Sequence, residues 1–168
     1  MSYSLSLQRF QSGRLVPPDR AAVLAVLRRH CSDAGGRFES YDVGFSDGSR
    51  VELAARGLEG EGGTGPWWEF RVRELGPLIA QFIHDVALAG DCVIWNSMGS
   101  FNPAQPENPQ LILLRAEQAA HLPKACPNTA LCLSAWHLAQ LLGPGFARWQ
   151  DSFKPRRSWI ARLMSVAE

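Results

Sequence analysis

At 168 residues the chain has the length of one domain and can bury about 70% of the surface its unfolded form exposes, so a stable core requires neither disulfides nor a metal. Lys and Arg number 17 against 16 Asp and Glu, a net charge of +1, which excludes a global field that would gather nucleic acid or an acidic membrane. The longest apolar stretches, residues 78–89 and 111–114, fall short of the ~20 residues that span a bilayer.

Residues 1–10 alternate polar and apolar side chains and lack the basic, apolar and small-residue blocks of a secretory leader, so a cytoplasmic location is expected. In that setting Cys31, Cys92, Cys126 and Cys132, which form no CxxC pair, read as reduced thiols. Tyr3, Leu5 and Leu7 alternate with Ser4, Ser6 and Gln8, the period of a half-buried strand. Pro17-Pro18-Asp19 then supplies a breaker and an N-cap for a helix to about His30, with Val23, Leu24, Leu27 and Cys31 on one face. Alternation resumes at Tyr41, Val43 and Phe45 and again at Val51, Leu53 and Ala55, around Ser46-Asp47-Gly48-Ser49, and predicts a hairpin.

Residues 57–66 read as a glycine-rich loop, and Trp68, Phe70 and Val72 as a further strand. Gly76-Pro77 opens a helix whose stripe is Leu78, Ile79, Phe82, Ile83 and Val86, ended by Gly90. Residues 92–95 and 111–114 are short apolar runs of the kind buried on both faces of a sheet, joined by a loop rich in Asn and Pro. From Ala116 the sequence predicts a helical turn, a strand at 130–133, a helix at 134–142 and a helical or irregular aromatic tail at 146–164. The expected architecture is therefore one α+β domain over 1–168 with an antiparallel or mixed sheet. It is built from two βαββ-like units, 1–56 and 67–115, and a helical aromatic C-terminal segment, 116–168.

Candidate chemistry is sparse. Residues 60–65 match GxGxxG, but Pro66-Trp67-Trp68 and a strand follow, so no helix N-terminus faces a phosphate. Cys126, Cys132 and His137 have no zinc-finger spacing, and no metal or cofactor is expected. The strand carboxylates Glu39, Glu52 and Glu69 invite comparison with glyoxalase and bleomycin-resistance folds, yet no histidine falls on a predicted strand to complete their ligand sets. Cys132 beside His137 is the strongest enzymatic alternative, a thiol next to a base in a pocket for a small molecule. Lys154-Pro155-Arg156-Arg157, flanked by Trp149, Phe153 and Trp159, could hold a single strand of nucleic acid, but four charges are few and a solvated turn accounts for them.

Six tryptophans and the loop Asn96-Ser97-Met98-Gly99-Ser100-Phe101-Asn102-Pro103 favour protein binding, because aromatic residues and Arg anchor interfaces and loops present them. The candidate contact residues are Trp67, Asn96, Met98, Phe101, Asn102, Arg156 and Arg157. In size and α+β character the whole chain resembles the small immunity proteins that bacteria encode beside secreted toxins. That resemblance implies a one-to-one complex with a cognate protein toxin, blocking its active cleft, with no nucleic-acid or membrane partner. Inhibitors of nucleases are commonly acidic, so a near-neutral one is expected to oppose a toxin acting on a nucleotide or a wall component. A secretion-system adaptor is a further alternative.

Overall fold

Alternating apolar side chains build a sheet with one face under helices. The computed structural model describes residues 2–30, 40–59, 65, 67–123 and 128–153. Its strands are β1 (Tyr3–Gln11), β2 (Arg14–Val16), β3 (Ser40–Gly44), β4 (Arg50–Ala54), β5 (Trp67–Val72), β6 (Val93–Asn96), β7 (Leu111–Leu113) and β8 (Thr129–Leu131). The helices are α1 (Arg20–His30), α2 (Pro77–Ala89), α3 (Ala135–Phe153) and a 3₁₀ helix, Ala116–His121.

The strands form one sheet in the order β3-β4-β5-β1-β6-β7-β8, with β2 added to the end of β1. Among the described strands only the β7–β8 pairing is parallel. The second half of the chain shows the expected β-α-β-β order and the first shows it with β2 inserted after β1, and the two halves interlace: β1 lies between β5 and β6, both from the second half. The fold is thus α+β with a mixed sheet.

Burial follows the period of two. Tyr3, Leu5, Leu7, Val51, Leu53, Trp68, Phe70, Val72 and Ile94 point from the sheet into the main core under the helices. Asp19 caps α1 as its position predicts, its carboxylate accepting the Ala22 N–H at 3.1 Å. In α2 the residues Ile79, Phe82, Ile83 and Val86 are buried, whereas Leu78 in the first turn is 38% exposed and leaves the predicted stripe.

The opposite face of the sheet divides in two. Near β6 and β7, Val93, Leu111 and Leu113 form a second, smaller core with Phe10, Trp95 and Leu122, which is why these strands are apolar on both faces. Across β3, β4 and β5 the face is charged: Arg71 reaches Glu52 at 2.8 Å and Glu69 at 3.6 Å, and Arg50 pairs with Asp42 at 2.9 Å. These exposed ion pairs lend register more than stability.

Three features depart from the sequence reading. A two-residue turn at Ser12-Gly13, both at positive φ (51° and 77°), folds β1 back into β2, a hairpin not predicted although Ser-Gly is a turn dipeptide. The strand near 130 begins at Thr129 and ends at Leu131, so Cys132 and Leu133 fall outside it. Finally, α3 does not stop at Leu142 but runs through Gly143-Pro144-Gly145 to Phe153. Leu138, Leu142 and Phe146 are buried on that helix, and Gly145 lies so close to the Tyr3 hydroxyl that a Cβ would stand 2.8 Å from it. Packing on both sides of Pro144 outweighs the hydrogen bond the proline removes.

Candidate protein-binding loop

The segment between β6 and β7 is a long connection, and a buried polar cluster holds its base. Asn96, at the end of β6, is fully buried on the helix side of the sheet. Its Oδ1 accepts from the Tyr3 hydroxyl and from the Met98 N–H, the latter at 3.1 Å. Its Nδ2 donates to the Pro109 carbonyl at 3.2 Å. Asn108, also fully buried, donates through Nδ2 to the Met98 carbonyl at 3.0 Å. Asn128, just before β8, donates to the carbonyls of Ser100 at 2.7 Å and Gln105 at 3.2 Å. Three asparagines from three places in the sequence therefore satisfy the backbone of one loop, as buried carbonyls require.

Sterics reinforce this anchoring. Gly99 lies on the backbone of Pro109 and Gln110, where a Cβ would come within 2.4 Å of both. Ser100 and Pro109 form a parallel bridge, and Asn102 Oδ1 accepts the Ala104 N–H at 3.0 Å in an Asx turn. Above this base, residues 101–107 are all exposed, with Phe101 at 64% and Met98 at 37%. An apolar pair is thus presented on a scaffold whose backbone is already fixed. The stretch 97–106 carries no charged side chain.

The predicted contact residues do not all meet. Met98, Phe101 and Asn102 share this loop. Asn96 belongs to it from inside: with no exposed surface it positions the loop, and its side chain faces Tyr3 and Pro109. Trp67 is 53% exposed at the start of β5 opposite Gln8, whereas the loop adjoins the Tyr3 end of β1, five residues further along the same strand. Arg156 and Arg157 lie outside the described residues. Asn108 and Asn128 were missed, because nothing in the sequence around either signals a distant backbone partner.

The other candidate chemistry is placed as follows. The Cys132 thiol donates to the Ser134 carbonyl at 3.1 Å, while His137 Nδ1 accepts the Leu133 N–H at 3.3 Å. Thiol and imidazole therefore spend their hydrogen bonds on backbone, and burial pushes the Cys132 thiol up, away from thiolate character. Burial pushes Cys92 up to about 12, with Asp91 adding to the shift. Among the described residues no three His, Cys, Asp or Glu side chains converge as metal ligands. Trp149 packs against Phe146 and Tyr3, with ring centroids at 5.3 and 6.3 Å, so it turns inward and away from any stacking role. Residues 60–64, Cys126 and the basic run at 154–157 lie outside the described residues. Among the described residues no helix is long and apolar enough to cross a membrane. No family model, curated protein or solved structure matches this chain.

Proposed function

We propose that this chain is a non-catalytic protein-binding module, an immunity protein that holds a cognate bacterial toxin in an equimolar complex in the cytoplasm. The observation that carries the reading is the loop at 97–107, whose exposed Met98 and Phe101 stand on a base fixed by Asn96, Asn108 and Asn128. Pre-organisation matters for an inhibitor: a loop already ordered in the free protein loses little conformational freedom on binding, so its apolar contacts appear as affinity. The absence of charge along 97–106 supports a partner recognised by shape and apolar contact. A toxin whose cleft is a basic nucleic-acid groove would call for an acidic surface instead.

The test is co-purification of the tagged chain with the product of the neighbouring gene, followed by calorimetry. Expected are a 1:1 complex with Kd of about nanomolar, a loss of at least ~10-fold for Phe101→Ala, and an association rate nearly independent of salt. An equally tight complex with the Phe101→Ala protein would remove the loop from the interface. Failure to bind that gene product at all would overturn the immunity reading.

A further inference from the structure

The two edges of the sheet are built from opposite chemistry. At one edge β3 carries Asp42, paired with Arg50 of β4, and Ser40, whose hydroxyl donates to Glu52 at 2.6 Å. Charges on an edge strand discourage another strand from adding to it. At the other edge β8 has no such protection. From Asn128 to Ala147 the sequence contains no Asp, Glu, Lys or Arg. Leu131, Leu133 and Trp136, on and just beyond β8, are 40%, 77% and 72% exposed, the last two among the most exposed large apolar residues described.

The backbone of β8 defines what can cover this edge. Cys132 donates to the Leu113 carbonyl at 2.7 Å and Asn128 accepts the Leu111 N–H at 3.1 Å, so the even-numbered residues 128, 130 and 132 face β7. Hydrogen-bonding direction alternates along a strand, so the N–H and C=O groups of Thr129 and Leu131 point outward, and none has a partner among the described residues. The amide of Leu133 is taken by His137, which closes the outward row there.

We infer that β8 is a self-association edge, and that two copies of this chain pair antiparallel through it about a two-fold axis at Ala130. In this register Thr129 of each copy lies opposite Leu131 of the other, and both residues exchange backbone hydrogen bonds, while Ala130 faces Ala130 as the intervening non-bonded pair. The arrangement is self-complementary, as an isologous contact requires, and it satisfies every outward group of the strand. Like-charge repulsion, the usual obstacle to such pairing, has no source in this segment. Leu133 of each copy passes beyond Asn128 of the other, so Leu133 and Trp136 extend the covered apolar surface at both ends. The result is a continuous sheet of two eight-stranded halves.

Sedimentation equilibrium of the full chain up to about 100 μM tests this. The expected mass is twice 18.5 kDa. Leu131→Lys and Leu133→Glu, on the exposed surface, should each raise the dimer Kd at least ~10-fold while leaving the far-UV circular dichroism unchanged. The register is read separately in a Cys31→Ser/Cys126→Ser background: oxidation should link Ala130→Cys protein into a dimer stable in SDS and leave Thr129→Cys protein largely unlinked. A wild-type chain that stays monomeric throughout overturns the inference and gives the edge to another occupant, whether another part of this chain or a different protein. A dimer indifferent to both charged variants overturns it as well, because the copies would then meet elsewhere.

Discussion

The β3–β4 hairpin closes with its own residues, whereas the loop after β6 is closed from across the molecule. In the hairpin, Phe45 donates its N–H to Ser49 O at 2.9 Å, Gly48 donates to Phe45 O at 3.0 Å, and Asp47 Oδ1 accepts the Ser49 N–H at 2.9 Å. In the loop, Asn96 is tied to Tyr3, 93 positions away, and Ser100 to Asn128, 28 positions away. Order in the hairpin therefore depends on local turn chemistry, and order in the loop depends on the core being assembled. A binding surface built the second way is rigid only in the native state, and any change that loosens the core reaches it.

Asn96→Ala should have the largest effect, since it removes the partner of the buried Tyr3 hydroxyl and Pro109 carbonyl and of the part-buried Met98 amide. Urea unfolding should show about 3 kcal/mol of lost stability. A loss under about 1 kcal/mol would mean that the loop is held by other contacts. Next comes Gly99→Ala, whose new methyl must displace backbone at 109–110. Roughly 1–3 kcal/mol should go, with faster amide exchange at Met98 and Ser100. Gly48→Ala strains one residue at φ 84° and should cost ~1 kcal/mol, with faster exchange confined to the hairpin. Loosening of the 97–107 loop in that variant would erase the distinction between the two turns.

The two turns should also differ in their response to pH. Hydrogen bonds from Ser49 hold the Asp47 carboxyl below its ordinary value of 3.8. A lowered value contributes stability that is present above the ordinary carboxylate range and lost as pH falls through the group's own value, so acid loosens the hairpin. Burial pushes the Tyr3 phenol above its ordinary value of 10.0. That contribution is fully present below 10.0 and is lost as pH rises toward the native value, so alkali loosens the loop. In a Tyr41→Phe protein the tyrosinate absorbance should appear only together with loss of the native circular dichroism. Ionisation of Tyr3 near its ordinary value in the folded protein would show that the phenol reaches water.

This contrast also explains what the sequence made legible. The Asp47-Gly48 hairpin, the Asp19 cap and the Gly76–Gly90 limits of α2 are local signals, and each appears where the residues predict. Met98 and Phe101 were readable as loop residues because Asn, Pro and Gly surround them. The anchors were not, because Asn108 and Asn128 act through separations of 10 and 28 residues, and Asn96 reads as a loop polar when it is a core one. The course of α3 through Gly-Pro-Gly depends on burial of Phe146 on the far side of Pro144, again a tertiary fact. By contrast, β2 was within reach, since Ser12-Gly13 is a turn signal between two short extended runs.

The central position of β1 has a consequence for synthesis. Among the described residues the first strand made pairs with β5 at residues 67–72 and β6 at 93–96, apart from its short hairpin with β2. At a ribosomal rate of about 5–20 residues per second, the stretch from Gln11 to Val72, which completes the first of these partners, takes about 3–12 s to make. During that interval Tyr3, Leu5 and Leu7 have no sheet to enter, while the β3–β4 hairpin can already close on its own turn. The nascent chain therefore carries this central strand unpaired until Val72 has been made, the interval in which a holding chaperone would matter most.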